Sequence, residues 1–366
     1  MDWQITRRHC QCWHNKCTQV ELIKNIEIKN FKSIRHQKIE DCRRVNIFIG
    51  YPNVGKSNIL EALSIFGYLN KGQDLPLKLF CRFKELIDLF YDGDKQKDAE
   101  IFLNDYVSSM RYLDKNTLEL AFINKEYYVE KFDSSRAGIF RFFRFDKNGG
   151  IVHRKEQNYE LRNNVKKYEF KAEGAFINSG ADQRVLSYPN GSNLAEVIRH
   201  NRSLRKECAE LFSTYNLKII FDENENIIVQ KSLDEFTAFQ FSISQVADTL
   251  QRLIFHKAAI NTNQNTALLF EEPESHMFPP YISKFTADVM YNENNNQFFM
   301  STHSPFVVND FMENLKDDLS VYIVGYNKDT GETIIRRLTQ EELIEMYQFG
   351  TDIFLNLENY LENERK

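Results

Sequence analysis

Three short stretches carry side chains suited to phosphate chemistry, and the first is GYPNVGKS, Gly50 to Ser57. Its G-x-x-x-x-G-K-[ST] spacing lets backbone N–H groups wrap a polyphosphate while Lys56 reaches the outer phosphates and Ser57 offers a hydroxyl to Mg2+. A helix beginning at the lysine would add positive potential from its N-terminus. Gly50, Asn53, Gly55, Lys56, Ser57 and Asn58 are therefore the predicted nucleotide contacts. A glycine turn with a chance Lys-Ser pair is the bland alternative. An apolar run before the motif and helical spacing after it argue against that.

The second stretch is LLFEEPESHMFPP, Leu268 to Pro280, where Glu271 ends an apolar run and Glu272 follows it. A phosphate-binding loop needs a carboxylate on a neighbouring strand for its metal, and a second acid can face the attacking water. In isolation a solvated acidic turn would explain the pair equally well, so the assignment leans on the glycine loop. The third stretch, FFMSTHSPF, ends another apolar run at Ser301, Thr302, His303 and Ser304. A histidine at a strand end can hydrogen-bond a terminal phosphate or orient water, whereas a solitary one is more often a packing or surface group.

Bringing these three ends together requires strands that alternate with helices. Alternation over Leu22 to Ile28 and Val45 to Ile49 predicts two strands with a turn region between, and Ile59, Leu60, Leu63, Ile65 and Phe66 fall near helical spacing. From about residue 70 to 235 the texture changes, with one helical stretch near Phe83 to Tyr91 and short strands broken by turns at Asp146 to Gly150 and Tyr188 to Ser192. Helical spacing over Asn193 to Tyr215 then precedes a hairpin turning around Asp222 to Asn226. From Ser244 a helix to about Ile260, the strand ALLF, a helix near Tyr281 to Tyr291, the strands QFFMST and VYIVGYN, and acidic helices complete the pattern. The expected class is α/β, a mixed and largely parallel sheet flanked by helices with ligand sites at the strand ends, carrying a large mixed α/β insertion. The expected organisation is a loosely ordered extension over 1–19, a core from 20–70 and 236–366, and an inserted region over 71–235.

The 366 residues are 42% hydrophobic and 27% charged, with a net charge of −5, which argues against indiscriminate coating of nucleic acid but leaves room for a local basic groove. No run reaches the roughly 18 apolar residues of a membrane span, and the first residues lack the apolar centre of a signal peptide. A cytoplasmic protein without a membrane partner is the expectation. Cys42, Cys81 and Cys208 read as reduced core residues, whereas His9, Cys10, Cys12, His14 and Cys17 crowd five candidate zinc ligands together without the paired C-x-x-C spacing of a structural site. FRFFRF, Phe140 to Phe145, interleaves Arg141 and Arg144 with four Phe. It reads first as a core strand and second as a stacking platform for single-stranded DNA or RNA, with RNNVKKYEFK, Arg162 to Lys171, adding basic surface nearby.

The glycine loop with EEPESHMFPP and STHSPFVVN resembles the P-loop, ABC-type ATPase heads of RecF, SMC and the OLD nucleases, over roughly 20–70 and 236–320. The last two segments look most like OLD-type and related antiphage-defence ATPases. The resemblance implies ATP and Mg2+ as cofactors and two heads that sandwich two ATP molecules, hence a homodimer or higher oligomer formed through the ATP sites. By position it makes Glu271 the Mg2+-side acid, Glu272 the catalytic base and His303 the switch histidine, with Lys56 on the phosphates. It also places PESHMFPP at the dimer interface, so Glu274, Ser275 and His276 are expected to touch a second copy.

The signature of such heads best matches VADTLQR, Val246 to Arg252, in which Ala247 replaces the serine and Thr249 the glycine. Thr249 and Arg252 would then act on the partner's nucleotide, and Asp248 brings negative charge close to it. Slow or partner-gated hydrolysis is expected, and no Q-loop glutamine can be placed. No heptad arm interrupts the chain, and the 63 residues after His303 leave no room for a Toprim nuclease. The nearest arrangement is the Septu-type defence ATPase, paired with a separately encoded effector nuclease. The rivals are a RecF-like DNA repair or loading ATPase that binds DNA directly, and a non-hydrolysing scaffold clamped by ATP.

Overall fold

The computed structural model describes residues 22–70, 75–128, 139–156, 164–171, 184–224, 226–315, 317–349 and 353–362. The zinc candidates from His9 to Cys17 lie outside the described residues.

The chain opens with a hairpin, β1 (Ile26–Phe31) and β2 (Ile34–Ile39), then enters β3 (Val45–Ile49), every residue of which is buried. Helix α1 (Lys56–Ser64) follows the glycine loop. Five strands come next: β4 (Ala99–Leu103), β5 (Tyr106–Asp114), β6 (Thr117–Asn124), β7 (Ile139–Asp146) and β8 (Ile151–Glu156). They extend the opening hairpin into a seven-stranded antiparallel sheet in the order β2-β1-β4-β5-β6-β7-β8.

β9 (Asn164–Tyr168) leaves that sheet for another. After α2 (Leu194–His200) and α3 (Arg202–Ser213), the strands β10 (Leu217–Phe221), β11 (Ile227–Ser232) and β12 (Ala238–Ser242) form a small antiparallel sheet. The remainder alternates: α4 (Asp248–Thr262), β13 (Thr266–Glu271), α5 (Pro279–Met290), β14 (Gln297–Ser301), α6 (Pro305–Asn314), β15 (Leu319–Tyr326), β16 (Thr333–Arg337), α7 (Gln340–Phe349) and α8 (Leu357–Glu362).

The second large sheet has the order β16-β15-β3-β14-β13-β9 and is parallel throughout except for the β15–β16 pair. Parallel strands covered on both faces read as continuous apolar runs, as in ALLF and QFFM. Phe298, Phe299 and Met300 are fully buried, each contributing about 2 kcal/mol of apolar burial. Helix α1 packs against β9, β13 and β14 of this sheet and against β1 of the other, so the element that follows the glycine loop joins both layers. The segment 71–235 thus supplies strands to all three sheets.

Two local expectations need correction, and in a third case the first reading, a core strand, holds. Ile34–Ile39 is a strand, where alternation had suggested a turn region. Only its two ends are buried, so the signal of a core-facing strand is weak. Phe83 to Tyr91 is not an α-helix but two 3-10 turns, Leu86–Leu89 and Tyr91–Gly93. Glu85 and Asp88 cap the first turn reciprocally, and left-handed backbone at Asp92 and Gly93 ends the second. In β7, Phe140, Phe142, Phe143 and Phe145 are all buried, and Arg141 points inward to donate to the Tyr68 carbonyl at 2.9 Å while Arg144 pairs with Glu119. The strand has no aromatic faces left for bases. Among the described residues no helix is long and apolar enough to cross a membrane.

Candidate functional site

The parallel register sets the site. β3, β13 and β14 lie side by side, with Ser301 opposite both Phe48 and Glu271, so the glycine loop, the acidic pair and the histidine leave the same edge of one sheet. Strand ends of this kind are where open α/β sheets bind ligands.

The loop needs glycine for different reasons at its two ends. A Cβ on Gly50 would lie 2.1 Å from the Val324 carbonyl oxygen. Gly55 has φ of +106°, and a Cβ there would lie 2.4 Å from Thr333 Oγ1. The loop is braced from beneath: the Thr333 hydroxyl donates to the Val54 carbonyl at 2.9 Å and lies 2.7 Å from Ser33 Oγ, which in turn accepts from the Asn58 amide. Asn53 adopts left-handed backbone, with φ of +62°. Asn58 is therefore tied by its side chain to the β1–β2 turn.

Lys56 folds back over the loop and donates to the carbonyls of Gly50 at 2.9 Å and Tyr51 at 2.8 Å. Burial brings its pKa down to about 8, against the pull of Glu272 and Glu271. With neutral carbonyls as its hydrogen-bond partners, this buried ammonium is suited to receive an anion.

Ser57 donates its hydroxyl to Glu271 Oε1. Burial opposes the charge on Glu271, but Lys167, the Ser57 hydrogen bond and Arg82 together hold its pKa below the ordinary carboxylate value. Arg82 Nη2 lies 2.9 Å from Glu271 Oε1 and its Nε 2.7 Å from Glu61 Oε1, while Lys32 pairs with Glu61 from the other side. Lys167 Nζ lies 3.5 Å from Glu271 Oε2.

Glu272 leaves the strand in left-handed backbone, φ +44°, an uncommon conformation for a non-glycine residue that swings its carboxylate off the strand line. Its Oε1 lies 3.3 Å from His303 Nε2. Burial and then Lys56 lower the His303 pKa, with Glu272 opposing, so the imidazole is neutral near pH 7 and keeps one donor and one acceptor nitrogen.

Glu274 departs from expectation. Instead of facing a second copy it is buried, accepting from Thr302 Oγ1 at 2.7 Å and from the His303 backbone N–H at 3.0 Å. It fixes the histidine segment to the acidic loop, and burial raises its pKa. Ser275 and His276 stay partly or largely open to solvent.

Thr249 and Arg252 sit in the first turns of α4. Thr249 donates to the His276 carbonyl at 2.7 Å, and Arg252 pairs with Asp248 at 2.7 Å and lies 5.0 Å over the Phe170 ring. Among the described residues no hydrogen bond or ion pair joins them to Gly50–Ser57, so the structure brings together the loop, the acids and the histidine but not these two.

Sequence reasoning missed Lys32, Glu61, Arg82 and Lys167. Glu61 had a usable signal, since it lies four residues after Ser57 and hence on the same face of α1. RNNVKKYEFK was read as basic surface, yet Lys167 is buried, and Lys166 is largely buried with Nζ 2.7 Å from Asn263 Oδ1.

The donor set suits a hard divalent cation, because the Ser57 hydroxyl and Glu271 carboxylate are oxygen ligands beside a loop in which no side chain fits at Gly50. Among the described residues no cluster of three or more His, Cys, Asp or Glu forms a metal site from protein alone.

Residues 45–309, which contain all three strand ends, match the family described as "AAA domain, putative AbiEii toxin, Type IV TA system". The chain belongs to this AAA-domain family. A Methanocaldococcus jannaschii relative of the AAA-domain chain, uncharacterized protein MJECL10, is 33% identical over 131 residues, 33% of this chain and 54% of that protein. The ATP/GTP phosphatase of Helicobacter pylori is 48% identical over 42 residues, 12% of this chain and 11% of that protein. The DNA replication and repair protein RecF of a Thermoanaerobacter species is 33% identical over 69 residues, 19% and 18% of the two chains. The chain thus spans about half or less of the length of these relatives. An SMC head bound to the C-winged helix domain of ScpA superposes with a TM-score of 0.51 at 14% identity, covering 89% of this chain and 100% of that one. An SMC head with an extended coiled coil, bound to the C-terminal domain of ScpA from Pyrococcus furiosus, gives 0.51 at 12%, covering 90% and 99%. The AAA-domain chain therefore has an SMC head-like ABC ATPase fold, α/β with mixed sheets flanked by helices.

Proposed function

We propose that this AAA-domain protein binds and hydrolyses ATP with Mg2+, that two copies close around the nucleotides, and that the closed state controls a separate effector, a nuclease, in antiviral defence. The observation that carries the reading is the convergence of Ser57 on Glu271 and of Glu272 on His303, both beside Lys56. Mg2+ bound between Ser57 and Glu271 would supply Lewis-acid polarisation of phosphoryl oxygens.

The chain's own residues do the rest. Backbone N–H groups of Gly50–Ser57 and the start of α1 orient the phosphates, and Lys56 leaves its two carbonyl partners for phosphate oxygens as charge builds there. Glu272 accepts the hydrogen bond of the attacking water and takes its proton. His303, neutral and in contact with Glu272, holds that carboxylate with one nitrogen and offers the other to the terminal phosphate. Thr249, Arg252, Ser275 and His276, on the α4 end and its neighbouring loop, would meet the nucleotide of the second copy. The defence role and effector rest on the toxin–antitoxin wording of the family and on the likeness of EEPESH and STHSPF to antiphage ATPases.

The test is Glu272→Gln, which removes the base and leaves the phosphate cradle. The variant should bind ATP and shift from monomer to dimer in light scattering, and an ATP-independent monomer would count heavily against the two-copy site. Purifying this variant from its native cell should co-isolate the effector. The RecF matches favour a second reading, an ATPase that acts on DNA directly. Phosphate release by the lone protein that rises on adding DNA would select it.

A further inference from the structure

Around Glu271 the formal charges do not balance. Glu271 and Glu61 contribute two negative charges, whereas Lys32, Arg82 and Lys167 contribute three positive ones, all within one network of ion pairs. Lys56 and Glu272 cancel one another nearby. By count the surplus cation is Arg82, because Lys32 pairs with Glu61 and Lys167 with Glu271 one to one, so what Lys167 supplies is a built-in neutralisation of Glu271. Arg82 is 64% exposed and its charge is screened by water, whereas the Lys167 side chain is 3% exposed and sits on β9, where its backbone lies opposite Leu269 of the neighbouring β13. Its ammonium meets the carboxylate oxygen that neither Ser57 nor Arg82 uses. A buried lysine is expensive unless it has a charged partner, and this one has been given the acid assigned to the metal.

Such a buried cation acts oppositely on the two components of a metal–nucleotide complex. It attracts the polyanionic phosphates and repels a divalent ion approaching Glu271. At about 10 Å and an effective dielectric of about 20, one unit charge changes binding on the order of tenfold. We propose that Lys167 is a second buried lysine of the phosphate site, a positioning residue that holds Glu271 toward Ser57 and lets nucleoside triphosphate bind with little dependence on divalent metal. The proposal rests on the reading of Gly50–Ser57 as a nucleotide loop.

The experiment is a fluorescence titration of the full chain with methylanthraniloyl-ATP, once in Mg2+ and once in EDTA. Wild type should bind in EDTA within about tenfold of its affinity in Mg2+. Lys167→Met should lose about a further tenfold in EDTA while changing little in Mg2+, and Lys167→Arg should stay near wild type. Equal weakening of Lys167→Met in both media would mark a merely structural lysine and overturn the proposal. Should that variant not fold, the wild-type comparison still tests the proposal, since a loss of more than about tenfold in EDTA overturns it. Binding in Mg2+ alone would leave the nucleotide reading intact and remove Lys167 from it. No binding in either medium would remove both.

Discussion

Thr302 donates its hydroxyl to the buried carboxyl of Glu274 at 2.7 Å, and the next residue, His303, donates its backbone N–H to the same oxygen at 3.0 Å. One acceptor therefore sets the height of the histidine above the sheet. Burial raises the Glu274 pKa, against the Thr302 and His303 hydrogen bonds that lower it. Glu274→Gln should keep both bonds and near-native stability. Glu274→Ala leaves the buried Thr302 hydroxyl and the part-buried His303 N–H without this acceptor and should lose about 2–3 kcal/mol in urea unfolding, together with slower ATP turnover. Equal stability of the two variants would refute this account.

Lys56 predicts a pH dependence. Burial sets its pKa at about 8, so at higher pH the phosphates must recruit a proton on binding. Affinity for ATP should be level below about 8 and fall as pH rises beyond it, with net proton uptake seen as a buffer-dependent heat of binding. Affinity that stays flat to pH 9 would contradict the assignment. For folding the sign is reversed: between about 8 and its ordinary value of 10.5 the unfolded chain holds more protons at this lysine, so its contribution to stability improves as pH climbs.

The same residue sets function against stability. Lys56→Met should raise the thermal stability of the empty protein by about 1 kcal/mol, since the burial penalty of the ammonium disappears, while abolishing the rise in Tm that ATP gives wild type. A variant that is both less stable and still ATP-responsive would be inconsistent with this.

At Gly50 a methyl group has nowhere to go, because the obstacle is the Val324 backbone rather than a movable side chain. Gly50→Ala should lose about 1–3 kcal/mol of stability and most nucleotide binding. Near-native ATP affinity in that variant would show that the loop can shift.

Phe143 decides between core and platform for FRFFRF. It is 1% exposed and packs on Tyr68, Phe122 and Phe145. Phe143→Ala should destabilise the protein by about 3–5 kcal/mol without changing retention of single-stranded DNA. Selective loss of DNA retention in a stable variant would restore the platform.

Where spacing and chemistry coincide, the site was legible in advance. Gly50, Lys56 and Ser57 state the loop outright, and apolar runs ending in Glu271 and His303 reveal their strands because both faces of β13 and β14 are covered. The other half of the charge network was not legible, because Lys167 looks like any lysine in a basic run until β9 is known to lie beside β13. The β2 strand was hidden by its polar middle, and the burial of Glu274 depends on Thr302, 28 positions away. Periodicity reports what one element shows to water. It does not report which two elements share an edge.

The placement of β3 has a consequence for biosynthesis. Its two neighbours, β14 and β15, are formed by residues 297–326, and the brace beneath the loop comes from Thr333. At about 5–20 residues per second a ribosome needs on the order of tens of seconds to supply them. Throughout that interval the apolar strand VNIFI has neither lateral partner, so a nascent chain stalled before residue 297 would present it to chaperones instead.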